Sequence, residues 1–480
     1  MNQKVAVGVV YVAGLFMAIM DTTIVNVALP VLGRDFHTSP DAVDSVVIGF
    51  LVSTGVFLTA SGWAGDRFGG RRVLLCSVVL FTGASALCGL ATSLGELVVF
   101  RVLQGAAGGL MTPVGLAMLF RVFPPAERVR ASSILMIPTA FAPALGPVLG
   151  GLLVTDLSWR WVFYVNVPIG AAAFVFGLLF LDPHRQTNPG RFDLAGFVLA
   201  ASGLGLIMYG VSEGPLRGWG SGGVVSSAGA GAVLLVITVL FELRRHQPLV
   251  DLRVYGDRLF RATSAVLTLG AVAFLGVLYL VALFYQDGLH LSALQSGLNT
   301  FPEAVGVMIG AQVVSRRLYP VLGPRRIMAG GLVIVALSMA ALTTVGAGTS
   351  LWWARALLLC IGLGMSGVFI PAQAASFATV SPERTGRAST LFNASRQLGG
   401  AIGVAVLTTV LAAVGPTRLV AGRRVSDLGA YHAAFIAAAG IAVVAAMVAF
   451  TVSDDDAAAT MVRRGRLARA ASRSPAAEVA

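Results

Sequence analysis

Long apolar runs, each closed by a short polar or basic turn, repeat from one end of the chain to the other. A helix that crosses a bilayer needs about 20 such residues. Fourteen runs fit: 5–29, 46–64, 73–92, 97–120, 133–155, 161–181, 194–211, 223–241, 262–286, 297–315, 327–346, 351–375, 391–413 and 432–452. The seventh and eighth are short and rich in Gly, Ala and Ser. The runs group as six, two and six, because Glu242–Arg261, after the eighth, is the longest polar link before the tail. The second half echoes the first. The basic turn Gly62–Arg72, GWAGDRFGGRR, has its counterpart in Ser315–Arg326, SRRLYPVLGPRR. The expected architecture is an all-α integral membrane protein of fourteen helices. Residues 1–181 and 262–452 would form two six-helix bundles. Residues 182–261 would add two linking helices and a cytoplasmic loop, and 453–480 a disordered cytoplasmic tail.

Composition removes the soluble alternatives. Of 480 residues, 56% are hydrophobic and 12% charged, whereas a soluble domain carries about 25% charged residues. The net charge of +12 sits in small clusters between apolar runs. No continuous basic face exists to hold nucleic acid. With the N-terminus inside, 25 of the 34 Lys and Arg fall in cytoplasmic segments, six in external loops and three in spans. That asymmetry predicts both termini in the cytoplasm of a multi-pass inner-membrane protein. The loop 414–431, with three external arginines, is the exception. Cys76, Cys88 and Cys360 all lie in apolar runs, and no disulfide, metal site or cofactor is expected. The first run is too long for a cleaved leader and carries Asp21.

Charges inside spans are costly and point to function. Asp21 lies eight residues from the outer end of its helix, about 12 Å deep. Arg101, on the antiparallel fourth span, lies about 6 Å deep, so the two reach similar depths. They form either a structural lock or a proton-coupling pair, since burial favours a protonated carboxyl and a nearby guanidinium the ionised one. Glu303, about 9 Å below the outer surface, is either solvated at a cavity mouth or a second site for a proton or a cationic substrate. Asn26 and Gln104 are further polar candidates. Arg355 and Arg396 read as structural, placed to snorkel.

In the turn Gly62–Arg72, glycines allow tight turning and close helix approach, and the arginines hold the turn inside. Neither explains Asp66. Together Gly62, Asp66, Arg67, Gly69, Arg71 and Arg72 resemble the first-loop signature of the major facilitator superfamily. Gly70 departs from it, where a basic residue is common. FRVLQGAAGG, from Phe100, resembles the superfamily's fourth-span signature. APALGPVLGG in the fifth span, with Gly146, Pro147, Gly150 and Gly151, resembles its drug-antiporter signature, with Ala142 in place of the leading glycine. DTTIVNVALP around Asn26, SWRWVFYVNVPIG around Asn166 and NASRQLGGAIGVA around Arg396 resemble the fourteen-span drug:proton antiporter subfamily.

The resemblance implies a monomeric exporter of amphipathic small molecules, with cationic ones as an option. It would be driven by protons through Asp21 and Arg101, and would switch between inward and outward access at the Asp66 turn. Paired halves with a midplane site are the usual plan of such transporters. An uptake symporter of the same fold is the alternative, disfavoured by the Gly146–Gly151 pattern and the two extra spans. An enzyme or an ATP-driven pump is not expected, because no metal-spaced cluster or phosphate loop is present.

Overall fold

In lipid, a backbone must satisfy its own hydrogen bonds, and apolar runs of this length do so as helices. The computed structural model describes residues 2–182, 192–245, 248–346, 348–381, 383–415, 417–420 and 423–461. The first half holds α1 (Gln3–Asp35), α2 (Pro40–Leu58), α3 (Ser61–Phe68), α4 (Gly70–Leu90), α5 (Leu94–Val122), α6 (Arg128–Asp156), α7 (Trp161–Tyr164) and α8 (Asn166–Phe180). The linking pair is α9 (Leu194–Arg217) and α10 (Gly222–Arg244). The second half holds α11 (Arg258–Leu283), α12 (Ala293–Val313), α13 (Tyr319–Ala341), α14 (Leu351–Ser376), α15 (Thr385–Val414) and α16 (Leu428–Ala449). Each of the fourteen apolar runs is occupied by helix. Starts are set by short polar side chains that take up a free N–H of the first turn: Ser39 before α2, Ser93 before α5, Asp257 before α11. Ser292 and Gln295 do so reciprocally before α12.

Among the described residues, eleven helices are long and apolar enough to cross a membrane, or twelve when Ala42–Leu58 and Ser61–Phe68, bent by 55°, count as one span. That tally takes Leu294–Thr344 as one 51-residue element and leaves out α6, and these two stretches are where it departs from the expected fourteen. The long element is not straight. It breaks at Gly323, with φ 76° and ψ 170°. Gly69 does the same between α3 and α4, with φ 87° and ψ 134°. A left-handed residue ahead of two arginines therefore ends the basic turn in both halves, a conformation glycine adopts without strain.

Helices close on one another through glycines. Gly105 and Gly109 of α5 face the Phe50 and Thr54 carbonyls of α2, and Gly403 of α15 faces Val272 of α11. The linking helices pack on each other, and α9 rests against α2 and α15. At the end that carries the basic turns the halves are sealed. Ser61 and Thr390 share a hydrogen bond of 2.9 Å, Ser389 donates to the Pro113 carbonyl at 2.7 Å, and Phe120 meets Phe377 with centroids 4.8 Å apart.

Two expectations change. The odd external loop is a folded hairpin of β1 (Thr417–Val420) and β2 (Arg423–Ser426). The stretch after α16 is not wholly a loose tail. Residues 453–461 are packed, with Thr460 and Met461 buried, because Met461 joins an apolar cluster with Val129, Ala311, Val314, Tyr319 and Ile370. The tail beyond 461 lies outside the described residues.

Candidate functional site

The first half gathers its polar groups around Asp21, which is fully buried. Arg101 of α5 donates through Nη1 to Asp21 Oδ2. Gln104, one turn on, donates to Oδ1 at 2.9 Å, and Asn166 at the start of α8 donates to the same oxygen at 3.2 Å. Arg101 also donates to Gln104 Oε1 at 2.8 Å and to the Val46 carbonyl of α2 at 3.3 Å. Its guanidinium lies 4.2 Å from the centroid of the Phe50 ring. Asn166 donates in turn to Ser85, and Ser85 to the Phe163 carbonyl. Six helices thus share one network, and both carboxylate oxygens of Asp21 accept from donors. Such a pair is costly to desolvate and holds only when its hydrogen bonds are complete.

Sequence spacing put Asp21 and Arg101 at similar depths, and the structure pairs them; Gln104 had been a separate polar candidate, and Asn166 had not been assigned to the site. The available signal was a lone amide within an apolar run. Asn26 is exposed and joins no part of this network.

The α6 glycines press on α1 beside the cluster. A side chain at Gly146 would collide with Thr23, and one at Gly150 would meet Ile24 and Val27 at 3.1–3.2 Å. Gly151 points into open space. The helix is continuous from Arg128 to Asp156, and the Pro147 side chain lies outside the described residues.

In the turn Gly62–Arg72, Asp66 is buried, and Oδ1 accepts from Arg121 Nη2 at 2.8 Å. The partner therefore comes from the end of α5 and not from the arginines of the turn itself. Arg67 and Arg72 are exposed, and Arg71 donates to the Leu178 carbonyl at 2.7 Å. Asp66 also abuts the first turn of α15, where a side chain at Gly386 would meet its Oδ1 at 3.2 Å. A helix N-terminus favours an anion. Gly62 packs on the same turn, at Gly386 and Thr390. Asp66 is thus fixed to one half by Arg121 and touches the other half directly.

In the second half, Glu303 is 4% exposed, so it is not the solvated mouth residue that the sequence allowed. It lies where α12 packs on α14 and α6, and it accepts no hydrogen bond from any described residue. Two residues before it, Phe301 meets Phe141 of α6 with centroids 5.8 Å apart. Arg355 is held by Asn299 at 2.8 Å and by the Trp352 ring at 4.4 Å, in keeping with a structural role. Arg396 lies eleven residues into α15, about 16 Å from the start of that helix. Two buried acids of the linking pair went unnoticed in the sequence. Glu213 pairs with Arg217. Glu242 lies near Asp193 and had read as part of a polar link.

A family model described as Major Facilitator Superfamily matches residues 11–404. The multidrug resistance protein B homolog of Mycobacterium tuberculosis is 31% identical over 418 residues, covering 85% of this chain and 77% of the relative. The tetracenomycin C resistance and export protein of Streptomyces glaucescens is 33% identical, covering 83% and 74%. The puromycin resistance protein of Streptomyces alboniger is also 33% identical, covering 84% and 80%. Among solved structures, a human organic anion transporter superposes with a TM-score of 0.66 at 16% identity, covering 94% of this chain and all of that one. A proton:xylose symporter gives 0.62 at 14%, covering 93% and 95%. At those identities the structures speak for the fold alone. With the paired basic turns, the helical halves and these matches, the chain belongs to the major facilitator superfamily of multi-pass membrane transporters.

Proposed function

We propose that this transporter exports amphipathic small molecules from the cytoplasm against a proton gradient. It would work as a fourteen-span monomer in a bacterial inner membrane with both termini inside. The observation that carries the coupling is the state of Asp21, a titratable group in the membrane whose two oxygens are taken by Arg101, Gln104 and Asn166. Those donors sit on α5 and α8, while α1 is also gripped by α6 through Gly146 and Gly150. A shift of α1 with α6 relative to α5 would pull Asp21 off Arg101 and open an oxygen to a proton. Return of the donors would expel it. Asp66, set against the first turn of α15, would hold the cytoplasmic side shut in one of the two states. The named resistance roles of the relatives support export over uptake, as does the glycine pattern of α6.

The test is uphill export from proteoliposomes with an imposed pH gradient, with substrate binding measured in parallel. Asp21→Asn keeps the shape and removes the titration. It should abolish uphill export and leave binding within about twofold, since the amide can still hydrogen-bond. Undiminished uphill export by Asp21→Asn removes Asp21 as the coupling site and passes the role to Glu303.

A further inference from the structure

Three arginines stand inside the membrane helices, and two of them are matched, Arg101 by Asp21 and Arg355 by Asn299. Arg396 makes no ion pair and no hydrogen bond with any described residue. It is seven residues, two turns, beyond Ser389, so it projects from nearly the same side of α15. Ser389 reaches across to the Pro113 carbonyl of the first half. Arg396 therefore looks toward the other half, about 10 Å above the cytoplasmic seal. The side chain remains partly exposed, which at this depth means that it lines space between the halves.

A guanidinium does not give up its proton in a protein, and an unpaired charge at this depth is costly. The space between the halves thus presents a permanent cation whose counter-ion the described residues do not supply. The two buried acids of the membrane interior are placed elsewhere: Asp21 is engaged by Arg101, Gln104 and Asn166, and Glu303 sits in the packing of α12 with α14 and α6. We infer that Arg396 binds the oxyanion of the transported molecule. The substrate class would be amphipathic compounds with a carboxylate or similar planar anion, which the fork of an arginine holds by two parallel hydrogen bonds. This rests on the export reading above and names its substrate class.

The experiment uses the purified full chain in nanodiscs and three probes of one apolar shape: 1-naphthylacetate, 1-naphthylacetamide and 1-naphthylethylamine. The parent should bind the anion at least about tenfold more tightly than the amide or the amine. Arg396→Gln should erase that preference and keep the amide affinity, which also shows that the variant is folded. Arg396→Lys should keep part of the preference, as a point charge without the fork. Equal binding of the three probes by the parent, or equal weakening of all three in Arg396→Gln, overturns the inference. Uptake of the probes into inverted vesicles, which reports export, separates the two readings. A chain that prefers the anion but moves none of the three keeps the site and loses the export reading. One that exports all three alike keeps export and loses the anion site.

Discussion

The two halves bury ionisable groups in opposite ways. In the first, Asp21 and Arg101 are closed into a network with Gln104, Asn166 and Ser85. In the second, Glu303 and Arg396 lie on α12 and α15 with no described partner. The same difference recurs at the two basic turns. Asp66 belongs to its own turn and is clamped by Arg121. The second turn carries no acid, and Asp454 is brought to it from the segment after α16. A completed network resists change until something displaces a donor, whereas an uncompleted one is ready for what arrives. The first half is built to hold a charge and the second to receive one.

Breaking the completed network should have the largest effect. Arg101→Ala leaves the Asp21 carboxylate buried without its charge partner, a loss of about 3–5 kcal/mol. Export should vanish and the thermal transition of the purified protein should fall. Arg101→Lys should not restore export, because a lysine cannot serve Asp21, Gln104 and Val46 together. The double variant Asp21→Asn with Arg101→Gln sharpens the comparison. Removing both charges should recover most of the folding stability while export stays absent. A double variant that is as unstable as Arg101→Ala would show that the pair is not the source of the loss.

Next comes the seal. Asp66→Asn keeps the shape but gives up the charge that binds Arg121 and faces α15. Transport should fall about tenfold, equivalent to about 1.4 kcal/mol of bias between states, with folded protein recovered in full. Parent-level transport at equal expression would reduce Asp66 to decoration. Glu303→Gln should lower export of anionic, neutral and cationic probes alike, as expected of a proton site. A loss confined to the amine would mean that Glu303 reads substrate charge instead.

How much of this was legible in the chain follows from which contacts are local. The helices were readable, because apolar length is a property of a run. The Asp21–Arg101 pair was readable because depth along two antiparallel helices can be counted. The Gly323 break was not foreseen, though its sequence echo of the Gly69 turn was seen. Arg121 was taken for a topology marker, since nothing local to it announces Asp66, 55 residues away. The distance of Arg396 from its helix start was hidden for a related reason. It depended on where α15 begins, and α15 starts at Thr385, six residues before the apolar run. The packed stretch 453–461 is acidic and small, and its anchors on α6 and α13 are distant in sequence.

The smallest effect is expected at the second turn, where the comparison of the halves can be isolated from transport chemistry. Asp454 Oδ1 accepts from the Arg325 backbone N–H at 2.9 Å and packs against the left-handed Gly323, where a side chain would meet it at 2.6 Å. Tyr319 and Thr460 share a hydrogen bond of 2.7 Å, and the short helical turn Ala458–Thr460 meets Pro125–Glu127 of the first half. The segment therefore ties the second turn to both halves, on the side that the Ser389 and Ser61 contacts keep shut. Asp454→Asn retains a carbonyl acceptor and loses only the charge. A charge-assisted hydrogen bond is worth about twice a neutral one, so a loss of about 1 kcal/mol is expected. The thermal transition should drop by about 1–3 °C, and transport should change by less than about twofold. Truncation after Val452 removes the whole strap and should do more, exposing Tyr319 and Ile370 and raising protease sensitivity in the turn Ser315–Arg326. If Asp454→Asn instead matches Asp66→Asn in transport loss, both turns act as gates, and the asymmetry of the halves is confined to the membrane interior.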